Sequence, residues 1–392
     1  MRRPRPGLSP GLALTLVLAL APVLSAQRPA AGDARIELVR ELAIGSDTAG
    51  PEYEFAGLGH AAVTRSGTVF VTVPEGSALV IRKFDTSGRF RGAVGRWGAG
   101  PGEYRYVEGL ALVGDTALVV LDRYNGRVVI FDTAGAYRRS FPIPATFFSF
   151  PFKVFAVFAD GAVGVRTRTS GRTPAGTREV ASVLVRYRPD GTVLDSVRLP
   201  PEVLSGMVLG VRSLGARWAF PEATVFTPLP RGGLAVARTT AYRVEVSPAG
   251  APAFVIERSA QALPLEGAER EEWQAMAEMG GRGPRITIPR RKPIIRELDA
   301  DAEGRIWVSL YTRATRREPE RRPGAGAPPS LTWWEHNAYD VFDPRGTYLG
   351  RIDLPPFSKL VAVLGSRIWV AEETDEGSYV LVRYRMRMPQ AR

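Results

Sequence analysis

The stretch from Gly95 to Pro142, GRWGAGPGEYRYVEGLALVGDTALVVLDRYNGRVVIFDTAGAYRRSFP, contains one complete four-strand unit. Its runs of β-branched and apolar residues, Val107 to Val113, Thr116 to Leu121, Arg127 to Asp132 and Ala136 to Phe141, are each strand-sized. Between them lie Gly114-Asp115, Arg123-Tyr124-Asn125-Gly126 and Thr133-Ala134-Gly135, residues that tolerate tight turns. Connections this short join only antiparallel neighbours, so the unit is an up-and-down meander. A lone sheet of this kind leaves a face of Val and Leu in water, which predicts copies stacked face to face.

The copies are found by their turns. The first turn recurs six times, as RSGTVFVT at Arg65, GDTALVVL at Gly114, DGAVGVRT at Asp160, RGGLAVAR at Arg231, EGRIWVSL at Glu303 and GSRIWVAE at Gly365. The third turn recurs five times, as KFDTSGRF at Lys83, IFDTAGAY at Ile130, RYRPDGTV at Arg186, VEVSPAGA at Val244 and VFDPRGTY at Val341. The sixth unit stops near the C-terminus without a fourth strand, and ARIELVRELAI from Ala34 supplies a candidate. An N-terminal strand completing the last sheet closes a ring and removes an exposed edge. The expected fold is therefore all-β, a six-bladed β-propeller with blades at about 55–96, 105–143, 152–200, 221–258, 293–355 and 357–386 plus 34–44.

GPGEY at Gly100, followed by a strand and VVLDRYNGRVVIFDTAG from Val119, resembles the repeat of NHL-type six-bladed propellers. That repeat has a Gly-Pro-Gly-Glu-aromatic lead-in and an Asp-x-x-Asn-x-Arg-Val segment. The second blade matches it closely, and GPEYEFAGLGHAAV from Gly50 is a gapped copy of the lead-in. The resemblance implies a binding scaffold, since most such proteins are scaffolds, while related propellers include metal-dependent lyases and lactonases.

Residues 1–26 carry Arg2, Arg3 and Arg5, an apolar run from Gly11 to Leu24, and then small residues, the layout of a secretory signal peptide. The run is too short to span a bilayer comfortably, so residues 27–392 are expected to form a secreted or periplasmic propeller without a transmembrane segment. The chain contains no Cys, so no disulfide contributes to its stability. Cleavage after residue 26 removes three Arg and no acid, which lowers the net charge from +12 to +9. A basic surface outside the cytoplasm suits an acidic glycan, peptide or protein rather than nucleic acid.

In a meander the first and third turns lie on one face of the ring, and the second turns and blade-to-blade links lie on the other. Every long insertion falls on the second face: Arg168 to Glu179, Pro201 to Pro221, Ser259 to Lys292 and Thr312 to Leu331. Long loops on a rigid scaffold are where binding residues concentrate. Ahead of blade two, Arg96, Trp97, Tyr104 and Arg105 offer cations and rings, equally compatible with a ligand site and with packing. LPLEGAEREEWQAMAEMGGRG from Leu263 has helical spacing of Leu265, Trp273, Met276 and Met279, which predicts a short helix across the mouth ended by Gly280-Gly281. Arg290, Arg291 and Lys292 follow it, and Arg313, Arg316 and Arg317 open the insertion that ends in Trp333, Trp334, Glu335 and His336. Apart from Glu335, these basic residues, the Trp pair and His336, together with Arg96, Trp97, Tyr104 and Arg105, are the expected ligand contacts, the later ones forming a cationic cluster beside paired Trp, although a solvated charge run next to packing rings fits the same pattern. The middle of that insertion, 321–330, is Pro/Gly-rich and expected to be disordered. The Phe-rich start of blade three, Phe147 to Phe158, reads as core filler, and His60 as a polar residue lining the axial channel.

There is no nucleophile elbow, phosphate-cradling Gly loop or zinc-binding Cys set. With two His and no Cys, a site of three imidazole or thiolate ligands cannot be built. Glu75, Asp122 and Glu372, each after the second strand of a blade, leave open an oxygen-ligated metal near the ring axis. The expectation is a monomeric binding scaffold for a protein, peptide or anionic carbohydrate, with no catalytic residues, cofactor or resident metal. The alternative is a propeller hydrolase, lactonase or lyase using such a metal.

Overall fold

A computed structural model describes residues 34–45, 49–76, 78–143, 155–172, 178–200, 207–209, 216–218, 220–279, 287–317 and 331–389. Residues 1–33, Phe147, Phe148, Phe150, Phe152, Gly280-Gly281 and the Pro/Gly-rich segment 321–330 lie outside these ranges. The chain is an all-β, six-bladed propeller, each blade a four-stranded antiparallel sheet. Blade two has strands Val107–Val113, Ala117–Asp122, Arg127–Asp132 and Tyr137–Pro142, close to the ranges read from its sequence.

Second strands such as ALVVL are continuously apolar, and IWVSL is buried throughout, because both faces of each blade are covered. In blade two, Leu118 and Val120 pack toward blade one while Val119 and Leu121 pack toward blade three. Six apolar clusters fill the seams in this way, one between each pair of neighbouring blades. The third turns of blades one, two and five are set by an aspartate that opens the turn. Asp132 Oδ1 accepts from the backbone N–H groups of Gly135 and Ala136 at 2.8 Å each, and Asp343 repeats the pattern. Gly135, at φ 105°, supplies a conformation that L side chains avoid.

The NHL-like residues of blade two have a structural task. Asn125 Nδ2 donates to Gly98 O and to Asp122 Oδ2, and Arg127 Nη2 donates to the carbonyls of Gly100 and Glu103. These bonds hold the GPGEY lead-in against the blade.

The ring closes where the sequence predicted. Glu37–Ile44 is the outer strand of blade six, antiparallel to Tyr379–Arg387, running from Glu37 opposite Arg387 to Ile44 opposite Leu381. Ile36 enters the cluster between blades five and six, and Ile44 that between blades six and one. The register slips between Arg40 and Leu42, leaving Glu41 as the bulged residue. Its carboxylate receives Arg367 at 2.7 Å, Arg385 at 3.1 Å and Arg383 at 3.2 Å, contacts that hold its pKa below the ordinary carboxylate value.

A chain beginning at Ser46 leaves the Tyr379–Arg387 strand as a bare edge and strips both adjoining clusters of buried residues worth roughly 1.5–3 kcal/mol each. Such a truncation is expected to aggregate or to lose its cooperative thermal transition. An unchanged melting temperature would contradict this closure.

Candidate functional site

The links and second-strand ends of blades one, four, five and six enclose a cavity of about 720 Å³ on the long-loop face. Two segments beyond the blades form its rim. Helix α1 (Gly267–Met279) lies over a separate apolar cluster in which Leu265 and Met276 pack with Phe220, Ile288 and Leu331. A hairpin stem pairs Ala314–Arg316 with Trp333–Glu335, so that Arg316 stands opposite Trp333.

A buried ion cluster joins the two. Lys292 is 1% exposed, and its ammonium reaches Glu269 at 2.8 Å, Glu335 at 3.1 Å and the carbonyl of Thr312 at 3.2 Å. Three acceptors for three protons leave its charge fully bonded. Glu269 comes from α1, Glu335 from the hairpin stem and Lys292 from the approach to blade five, so one side chain ties three distant segments together. Truncating one partner in such a group costs about 3–5 kcal/mol, because the remaining charge stays buried and unpaired. Burial holds the Glu269 carboxyl above its ordinary pKa despite the Lys292 contact. Glu335 also binds Arg296 at 2.5 Å, and Arg296 stacks over Tyr311 at 4.7 Å.

Arg296 is the extra residue of a bulge in the inner strand Ile295–Ala300, since Ile295 pairs with Leu310 and Glu297 with Ser309. A bulge re-aims the side chains beside it, and here Arg296 and Glu297 both line the cavity. Phe220, at φ 51°, and Phe357, at φ 54°, are the only non-glycine residues of left-handed backbone conformation among the described residues. Both wall the cavity. Bulky residues in this region cost about 1–3 kcal/mol each.

The sequence-derived contacts divide. Trp333 and Trp334 line the cavity, and Trp334 packs edge-on against Phe357, with Arg317 over the other ring at 4.4 Å. The expected cationic cluster is not a bare one. Lys292 is buried among carboxylates, Arg317 pairs with Glu373 at 2.9 Å, and Arg291 donates to the carbonyl of Ala262. Arg290, Arg313 and Arg316 are exposed but do not line the cavity, and His336 turns to Asp353 at 3.4 Å. Tyr104, expected as a ligand contact, is instead a core residue, 1% exposed and bonded to Ile81 N and Val94 O. Arg96 pairs with Glu103 and Arg105 lies over Trp97 at 5.6 Å, all outside the cavity.

The carboxylates considered for an oxygen-ligated metal are bonded elsewhere. Asp122, with no exposed surface, accepts from Asn125 and from the backbone of Arg105 and Tyr106, while Glu372 accepts from the Tyr384 hydroxyl. Glu75 lies 3.8 Å from Arg82.

Sequence reading missed Arg296, Glu297, Tyr311, Phe357 and Lys359. The available signal was positional, since each sits where an inner strand begins or a second strand ends on the long-loop face.

His60 immediately precedes the inner strand Ala61–Val63. Solvent reaches the residue as a whole, yet surrounding protein, and then the charge of Lys359, push its pKa down to about 4. The folded protein thus holds neutral imidazole, and the unfolded chain, near 6.5, protonates first. This contribution to stability is complete above pH 6.5 and disappears as pH falls toward 4. Proton NMR should place the His60 midpoint near 4 and higher in Lys359→Met; a midpoint near 6.5 in the wild type would contradict the described environment.

No family model matches the chain, and no curated protein matches it. Solved structures of similar architecture include a member of the DUF4221 family from Bacteroides vulgatus, with 11% identity, TM-score 0.47, and 91% of this chain and 100% of that one covered. A candidate exported protein from Bacteroides fragilis has 10% identity, TM-score 0.49 and coverage of 91% and 96%. Virginiamycin B lyase from Staphylococcus aureus has 11% identity, TM-score 0.41 and coverage of 90% and 99%. At these identities the likeness concerns the fold alone.

Proposed function

We propose that this six-bladed propeller is an exported binding scaffold that takes its ligand, a protein, peptide or glycan segment, into the cavity on its long-loop face. The observation that carries this reading is the concentration of backbone strain at the cavity. Phe220 and Phe357 hold left-handed conformations where glycine would be easier, and both residues line the cavity, the Phe220 ring packing between Trp273 and Tyr311. Strain kept at a concave aromatic wall is accounted for by binding. The volume suits a small ligand or a few residues of chain, and aromatic walls with few converging polar groups are the usual make-up of such sites.

The charged groups support binding over catalysis. Glu269, Glu335, Glu373 and Arg296 are committed to ion pairs that fix the rim. Export rests on the N-terminal sequence, and no described helix is long and apolar enough to cross a membrane.

The test is a screen of peptide and glycan arrays with the mature protein, followed by calorimetry of the hits. Trp334→Ala at the rim should weaken a genuine ligand at least about tenfold. The double change Arg65→Ser and Arg345→Ser, on the opposite face, should leave affinity unchanged. Equal losses in the two variants, or hits indifferent to both, would overturn the assignment to this face.

A further inference from the structure

The charges lining the cavity, once paired off, leave one of each sign. Its carboxylates are Glu269, Glu297, Glu335 and Glu373, and its cations are Arg296 and Lys359. Lys292 holds Glu269 and Glu335, Arg296 also holds Glu335, and Arg317 holds Glu373. Glu297 and Lys359 remain, both exposed, with no ion pair to each other or to any other described residue. They come from inner strands of neighbouring blades, Ile295–Ala300 and Ser358–Leu364.

Resting on the binding reading above, we propose that the cavity is a receptor for a zwitterion, a short peptide carrying one ammonium and one carboxylate, the first received by Glu297 and the second by Lys359. The rings of Trp333, Trp334 and Phe357 line the same cavity and offer apolar surface to the side chains. A dianion would meet Lys359 but oppose Glu297, and a dication the reverse; like charges brought together at a partly desolvated site are strongly disfavoured. The basic net charge of the whole ring does not decide this choice, because exposed charges beyond the cavity are screened within about 8–10 Å at physiological salt.

The probe is the tetrapeptide Ala-Phe-Leu-Ala in four forms, with free ends, N-acetylated, C-amidated and blocked at both ends, titrated calorimetrically into the full mature protein. The free form is expected to bind tightest, and each block to weaken binding about tenfold, the scale of one charge-assisted contact. Lys359→Met should abolish only the effect of amidation, and Glu297→Gln only the effect of acetylation. Both residues are exposed, so an unchanged melting temperature will verify the fold. Equal affinity for the four forms, preference for a singly charged one, or indifference to both substitutions overturns the proposal. If none of the four forms binds while the arrays yield a ligand that depends on Trp334, the zwitterion proposal fails and the binding reading stands. If the arrays yield none, both fail.

Discussion

Everything else in the molecule depends on the pairing of Glu37–Ile44 with Tyr379–Arg387. A propeller blade cannot bury its own faces, and each sheet is stable only because a neighbour stands on either side. Around a ring each blade depends on the next, and this dependence is satisfied only when one blade is made from both ends of the chain. Blade six does this, and Ile36 and Ile44 carry the closing strand into the seams on both sides of that blade. With the seams filled, the inner strands are held side by side and the links between blades become fixed points from which a site can be built.

The mouth shows what is done with that rigidity. The first and third turns are tight, whereas links and second turns extend into a helix and a hairpin on the other face. Lys292, Glu269 and Glu335 fix those extensions to the ring through charge rather than apolar area. Such a group confers little net stability but penalises any arrangement that separates its members. The bulge at Arg296 and the left-handed Phe220 and Phe357 are local departures from regular backbone at the same place. Departures from ideal geometry gathered at one concavity are the ground of the binding role proposed for it.

The architecture was legible in the sequence because it rests on local signals. DTAG at Asp132 and DPRG at Asp343 dictate their own turns, and a run such as ALVVL announces a strand covered on both sides. The closing strand was legible because the sixth unit lacked a partner and ARIELVRELAI had none. The site was only partly legible. Trp333 and Trp334 stood out as a pair, but Lys292 read as part of an exposed basic run because its partners, Glu269 and Glu335, are 23 and 43 residues away. Tyr104 read as a surface aromatic for a similar reason, since Ile81 and Val94, which bury it, belong to the preceding blade. Glu297 and Lys359 carry no motif at all, and only the ring places them on one cavity.

Hydrogen exchange resolved by peptide mass spectrometry tests the closure most directly. If the N-terminal strand is part of blade six, amides of Glu37–Ile44 exchange as slowly as those of Tyr379–Arg387, through one cooperative opening. Fast exchange of residues 37–44, beside slow exchange in the strand they pair with, would contradict it.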